Sequence, residues 1–101
     1  MQFLETPSYL APEVYQKKAY DEKIDVFSFG TMLWEIFTRE VPYEGLEPTD
    51  IMQKLMKDEP LGSSVTISKS IQKIIMECRA LNPEMRPNFE RVCELLENIE
   101  L

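Results

Sequence analysis

The sequence predicts an all-α protein, with about five helices gathered around one buried central helix. Three observations predict it. The stretch from Ile24 to Phe37, IDVFSFGTMLWEIF, is apolar over more than half of a helical wheel. Later segments repeat apolar residues at i, i+3, i+4 and i+7, and Pro and Gly punctuate the text between them.

Met1 to Ala11, MQFLETPSYLA, has no helical period and reads as an ordered loop. A short helix is expected from Pro12 to Gln16, with Pro12 in the first turn, where its missing N–H costs nothing. Lys17 to Lys23 is a polar connection into the central helix, which should end near Thr38 because Pro42 and Gly45 follow. On the wheel Val26, Phe27, Phe29, Met32, Leu33, Trp34, Ile36 and Phe37 form the apolar side, and Ser28, Thr31, Glu35 and Thr38 the polar one. That breadth describes a buried helix. Asp25 falls inside the apolar arc, where an unpaired carboxylate is costly to desolvate, so it needs a partner unless it is an exposed cap at the helix start.

A third helix opens at Pro48 and carries Ile51, Met52, Leu55 and Met56 on one stripe, stopping before Pro60. Glu59 to Ser68 is loop by composition. Ile71, Ile74, Ile75 and Cys78 then define a fourth helix, ended by Asn82 and Pro83. The last helix has Asn88 as its cap and Phe89, Val92, Cys93, Leu96 and Ile99 on one face.

Composition narrows function. At 101 residues the chain holds at most one domain, and it carries no apolar run long enough to span a bilayer. Eleven basic residues against eighteen acidic ones give a net charge of −7, which argues against nucleic acid and a membrane surface as partners. Without histidine, Ser-His and Cys-His catalysis and Cys/His metal chelation are excluded. Cys78 and Cys93 both fall on apolar helical faces and read as buried reduced thiols. The amino terminus lacks the pattern of a secretion signal, so a cytoplasmic location is expected.

Ala11-Pro12-Glu13 alone carries no information, but its company does. Thr6-Pro7-Ser8-Tyr9-Leu10 precedes it, and Asp25-Val26-Phe27-Ser28-Phe29-Gly30, Trp34-Glu35, Pro42-Tyr43, Cys78, Asn82-Pro83-Glu84-Met85-Arg86-Pro87 and Phe89 follow. In that order and spacing the chain resembles the C-terminal half of a eukaryotic-type protein kinase domain, from the end of the activation segment to the last helix of the C-lobe. The resemblance covers essentially all of residues 1–101.

The resemblance implies roles residue by residue. Glu13 matches the Glu of the A-P-E motif and Arg86 the Arg of the terminal R-P motif, which pair as a buried ion pair that tethers the activation segment. The bland alternative is two separate surface charges. Asp25 matches the aspartate at the start of the family's central helix, whose carboxylate accepts hydrogen bonds from the backbone of the catalytic loop. Gly30 and Trp34 belong to that scaffold helix. Thr6 matches the threonine that, in Ser/Thr kinases, bonds the catalytic aspartate and lysine; with Ser8, Tyr9 and Leu10 it forms the expected substrate-docking loop, aided by the helix near Ile51 to Met56. Thr6 and Ser8 also stand where phosphorylation would fall, against the alternative of ordinary pocket hydroxyls.

Tyr9 fits the Ser/Thr version of this segment, T-x-x-Y-x-A-P-E, whereas FSFGTMLWEIFTREVPYEG resembles the tyrosine-kinase and tyrosine-kinase-like branches. A tyrosine-kinase-like Ser/Thr kinase reconciles the two. Glu5 stands where the family usually has Gly, and Arg79 where many relatives have Trp, a change expected to lose packing but no chemistry.

Phosphoryl transfer by a protein kinase needs a glycine-rich loop, a strand lysine, a catalytic aspartate, and an Asp and an Asn for magnesium. None is present: the three glycines are isolated, there is no H-R-D, and Phe27 to Gly30 reads FSFG. The resemblance places those parts upstream, so the expectation is a partial domain without N-lobe or catalytic loop, inactive alone, with no catalytic, cofactor-binding or metal residue of its own. ATP and magnesium would be cofactors of the parent kinase. The expected partners are a protein or peptide substrate and the missing kinase half, the alternative being a pseudokinase-derived or truncated interaction module. A helix this apolar, covered by four short ones, should leave the isolated piece marginally stable.

Overall fold

Five α-helices form in the computed structural model, which describes residues 9–63 and 65–99: α1 Pro12–Tyr15, α2 Lys23–Thr38, α3 Pro48–Met56, α4 Lys69–Cys78 and α5 Phe89–Glu97. Glu5, Thr6 and Ser8 lie outside the described residues. No strand occurs among the described residues, and none of their helices is long and apolar enough to cross a membrane. The all-helical class stands.

Local chemistry sets the boundaries. Ala11 is extended at φ −72°, ψ 155°, as a residue before proline must be, and Pro12 opens α1. α2 ends at Thr38 as expected, where Arg39 turns left-handed at φ 60° and donates its N–H to Glu35 O at 2.7 Å. Ser68 Oγ accepts from Ile71 N at 3.3 Å to start α4, and Asn88 Oδ1 accepts from Arg91 N at 2.8 Å to start α5. Between them a 3₁₀ turn, Pro83–Met85, is capped by Asn82 Oδ1, which accepts from Glu84 N at 3.0 Å. Sequence periodicity does not show this turn, because three residues carry no period.

α2 lies between two hydrophobic clusters. Val26, Leu33 and Trp34 join Ile67, Ile71, Ile74, Ile75, Cys78 and Val92 in the larger one. Phe27 joins Ala11, Ile51 and Leu55 in the smaller one. The buried arc of α2 differs from the expected one. Thr31 and Thr38 are buried, whereas Met32, Ile36 and Phe37 are exposed, Ile36 at 57%. The threonines enter because their hydroxyls find carbonyls one turn back: Thr38 Oγ1 donates to Trp34 O at 2.8 Å, and Thr31 Oγ1 to Phe27 O at 3.4 Å. The side of α2 carrying Asp25, Met32 and Ile36 has no cover among the described residues.

The cysteines divide. Cys78 is buried as expected, but Cys93 is exposed, because Val92 rather than Cys93 faces the core of α5. Burial pushes the Cys78 thiol up to about 11, with Glu77 adding to the shift and Arg86 opposing it. A maleimide at pH about 7 should therefore label Cys93 and spare Cys78 in the folded chain, and label both in urea; equal labelling of both without denaturant would contradict this packing. The folded state holds the Cys78 proton more tightly than the unfolded one. Its contribution to stability is thus complete below the ordinary thiol value of 9.0 and is lost as pH rises through about 11.

Candidate functional site

The expected clasp between Glu13 and Arg86 is present. α1 presents Glu13 on its first turn, and the extended residue Arg86, after the 3₁₀ turn, reaches back across 73 positions of sequence. The contact is bidentate: Nη1 to Oε2 at 2.7 Å and Nη2 to Oε1 at 2.9 Å, with both side chains buried. The planar guanidinium matches the carboxylate fork, and its other donors are also used. Nε donates to Ala80 O at 2.8 Å, and Nη1 also to Lys23 O at 3.0 Å. Lys23 Nζ completes the loop by donating to Arg86 O at 2.7 Å. This knot ties α1, the start of α2 and the segment before α5 together, with the Arg86 guanidinium 4.9 Å from the Phe27 ring centroid.

Arg79 is the residue that sequence reasoning undervalued. It retains packing rather than losing it. Its guanidinium lies 4.7 Å from the Phe27 centroid and 5.9 Å from that of Tyr43. Nε donates to Thr31 Oγ1 at 3.0 Å and Nη2 to Tyr43 Oη at 2.9 Å. Burial pulls the Arg79 pKa down, and Tyr43 and Asp58 pull against it, while Arg86 reinforces the depression. The available signal was a charged residue directly after the apolar face of α4, which meets the Thr31 hydroxyl of α2 in space.

The remaining expected residues disperse. Asp25 is exposed in the first turn of α2, and no described residue pairs with its carboxylate. Tyr9 and Leu10 are half-buried, and Tyr9 O accepts from Ser28 Oγ at 2.9 Å, which fixes the end of that loop on α2. Ala11 and Pro12 are buried beside Glu13, and Trp34 fills the larger cluster. Gly30 is buried against α4: a Cβ there would stand 2.8 Å from Cys78 Cβ and 2.8 Å from Arg79 Cγ. Ile51 and Leu55 of α3 face the smaller cluster, leaving Met52 and Met56 as that helix's outward apolar residues. Among the described residues, no group of three or more acidic, Cys or His side chains could hold a metal ion.

Comparison with known proteins gives a consistent picture. The family model for protein tyrosine and serine/threonine kinases matches residues 4–96. The dual specificity protein kinase shkA of Dictyostelium discoideum is 38% identical over 96 residues, 93% of this chain and 18% of that protein. From the same organism, the probable serine/threonine-protein kinase drkC is 39% identical over 94 residues, 91% of this chain and 12% of its own length. A probable LIM domain-containing serine/threonine-protein kinase is 34% identical over 96 residues, 95% of this chain and 15% of its own. The chain thus spans less than a fifth of the length of these relatives.

Proposed function

This chain belongs to the protein tyrosine and serine/threonine kinase family, and on that premise we propose that it serves as the carboxy-terminal part of a kinase C-lobe, contributing scaffold and substrate docking rather than chemistry. The observation that carries this reading is the buried Glu13–Arg86 clasp, which joins the A-P-E segment to the R-P segment. The parent activity is ATP-dependent phosphorylation of Ser or Thr in proteins, in a tyrosine-kinase-like branch and in the cytoplasm. The mixture of serine/threonine and dual specificity relatives supports a hydroxyl substrate and leaves tyrosine as the alternative.

The residues here do not fit ATP or magnesium. Gly30 is packed against α4, Gly45 and Gly62 stand in open space on separate loops, and the described acidic side chains form no metal-binding cluster. Those groups belong to a preceding kinase segment, and no step of the reaction is assigned to this chain. What the chain offers that segment is the uncovered side of α2, where Asp25 and the apolar Met32 and Ile36 await hydrogen-bond donors and apolar cover. Substrate docking falls to the loop ending at Tyr9 and Leu10 and to the outward residues of α3, Met52 and Met56.

Incubating the purified chain with γ-labelled ATP, magnesium and a generic protein substrate should give no phosphate incorporation. Incorporation by this chain alone would overturn the assignment. A second reading, an interaction module derived from a pseudokinase, is favoured by the same exposed side of α2. A stoichiometric complex with a protein lacking any kinase segment would select it.

A further inference from the structure

We propose that the cavity bounded by α2, the α3–α4 connection, α4 and the 3₁₀ turn binds an apolar monocarboxylate, with the carboxylate on Arg79. Glu13 of the clasp stands on the cavity wall, but its ion pair with Arg86 is no part of the proposed contact, which does not depend on the kinase reading.

Two guanidinium groups of the fold, Arg86 buried and Arg79 half-buried, are matched unequally. Arg86 is matched by the Glu13 carboxylate and by backbone carbonyls. Arg79 touches only neutral groups, namely Thr31 Oγ1, the Tyr43 hydroxyl and two aromatic rings. Among the described residues no carboxylate reaches ion-pair distance of it, and Nη1 has no acceptor. A half-buried cation without an anion in contact is incompletely compensated. Nη1 is nevertheless not sealed in, because Trp34 Nε1 is the only fully enclosed side-chain nitrogen or oxygen without a partner among the described residues.

Arg79 lines a cavity of about 1110 Å³ whose apolar surface comes from Trp34, Leu61, Ile75, Met76 and Met85. Such a volume accommodates a small amphipathic molecule, and methionine walls adapt to its shape. The other charged groups on the wall define the ligand's charge. Glu13 is neutralised by Arg86, and Glu59 pairs with Lys54 at 3.5 Å. Asp58 faces Arg79 without contact, close enough to support its charge, and Lys18 is exposed at the rim. Among the described residues Arg79 inside and Lys18 at the rim are the wall's cations without an ion-pair partner, against the unpaired Asp58, and in a chain of net charge −7 this balance suits a single negative charge and repels polyanions such as nucleotides. A carboxylate matches the guanidinium fork, and an alkyl or aryl body matches the walls.

Trp34 is the chain's one tryptophan and stands in the cavity wall, so its fluorescence reports occupancy. Decanoate, decanol and decylamine, each below its aggregation concentration, should be titrated into the full chain. Decanoate is expected to change the Trp34 emission saturably, with decanol and decylamine at least roughly tenfold weaker. Arg79→Gln should weaken decanoate by about the same factor and leave decanol unchanged, whereas Asp58→Asn should tighten decanoate. Met76→Glu alters a residue that is 65% exposed on the cavity wall, so it should block decanoate without unfolding the chain, as checked by circular dichroism. Equal affinity for decanol, no saturable binding of decanoate, or undiminished decanoate binding in folded Met76→Glu would each overturn the proposal. So would undiminished decanoate binding in Arg79→Gln.

Discussion

Arg86→Ala is expected to remove most of the chain's folding stability. The change leaves the Glu13 carboxylate buried with nothing opposite it and strips the side-chain donors from Ala80 O and Lys23 O. Breaking one side of a buried pair costs about 3–5 kcal/mol. Since a domain is stable by only about 5–15 kcal/mol, and a small one by less, urea titration followed by circular dichroism should show the midpoint collapse toward zero. Arg86→Lys should recover little, because an ammonium cannot span both carboxylate oxygens in the plane that Nη1 and Nη2 occupy. The double variant Glu13→Leu with Arg86→Met should be more stable than either Glu13→Leu or Arg86→Met alone, because no lone charge remains. A loss of less than about 1 kcal/mol in Arg86→Ala would show that the clasp is not what holds α1.

Gly30→Ala comes second. In most helix interiors this substitution stabilises by about 1 kcal/mol. Here the added methyl carbon would meet Cys78 Cβ and Arg79 Cγ, both at 2.8 Å, and Ile75 O at 3.4 Å. Cys78 is fixed in the larger cluster and cannot withdraw like the end of a flexible side chain. α2 must therefore separate from α4, at an overpacking cost of about 1–3 kcal/mol that outweighs the propensity gain. Gly62→Ala is the control: nothing lies within 4 Å of its new Cβ, so its effect should stay near zero. Unfolding free energies of the two variants from denaturant titration should fall on opposite sides of a line drawn about 0.5 kcal/mol below the parent. Equal midpoints would mean that α2 and α4 are not in firm contact at Gly30.

The clasp and the helices were legible because each rests on local signals or on widely spaced residues of fixed chemical type. Pro12 and Asn88 mark helix starts by what their side chains can and cannot bond, whereas Ser68, read as loop, caps α4 in the same way. The faces of α2 were harder to read. A helical wheel counts apolar residues but does not say which neighbour is present, so Met32 and Ile36 looked buried and Thr31 and Thr38 did not. The hydroxyls entered the core through bonds to the helix's own carbonyls, which composition scales ignore. Asp25 did lie on the apolar arc, but on the part of it, with Met32 and Ile36, that is left open. Arg79 was noticed but undervalued for a related reason: a charged residue after a helix reads as lost packing until Thr31, Phe27 and Tyr43 are seen to converge on it.

The distance in sequence between the two halves of the clasp also orders events in time. α2 and α4 pack on each other within the larger cluster, whereas Glu13 waits for a residue 73 positions further on. Closing so long a loop carries an entropic cost that only its final contact offsets. During synthesis Glu13 has no ion-pair partner until Arg86 has left the ribosome, by which time the sequence of α2, α3 and α4 has already been made. Until then α1 can be held by the smaller cluster and by Ser28, so the clasp locks an arrangement that apolar contact has already chosen.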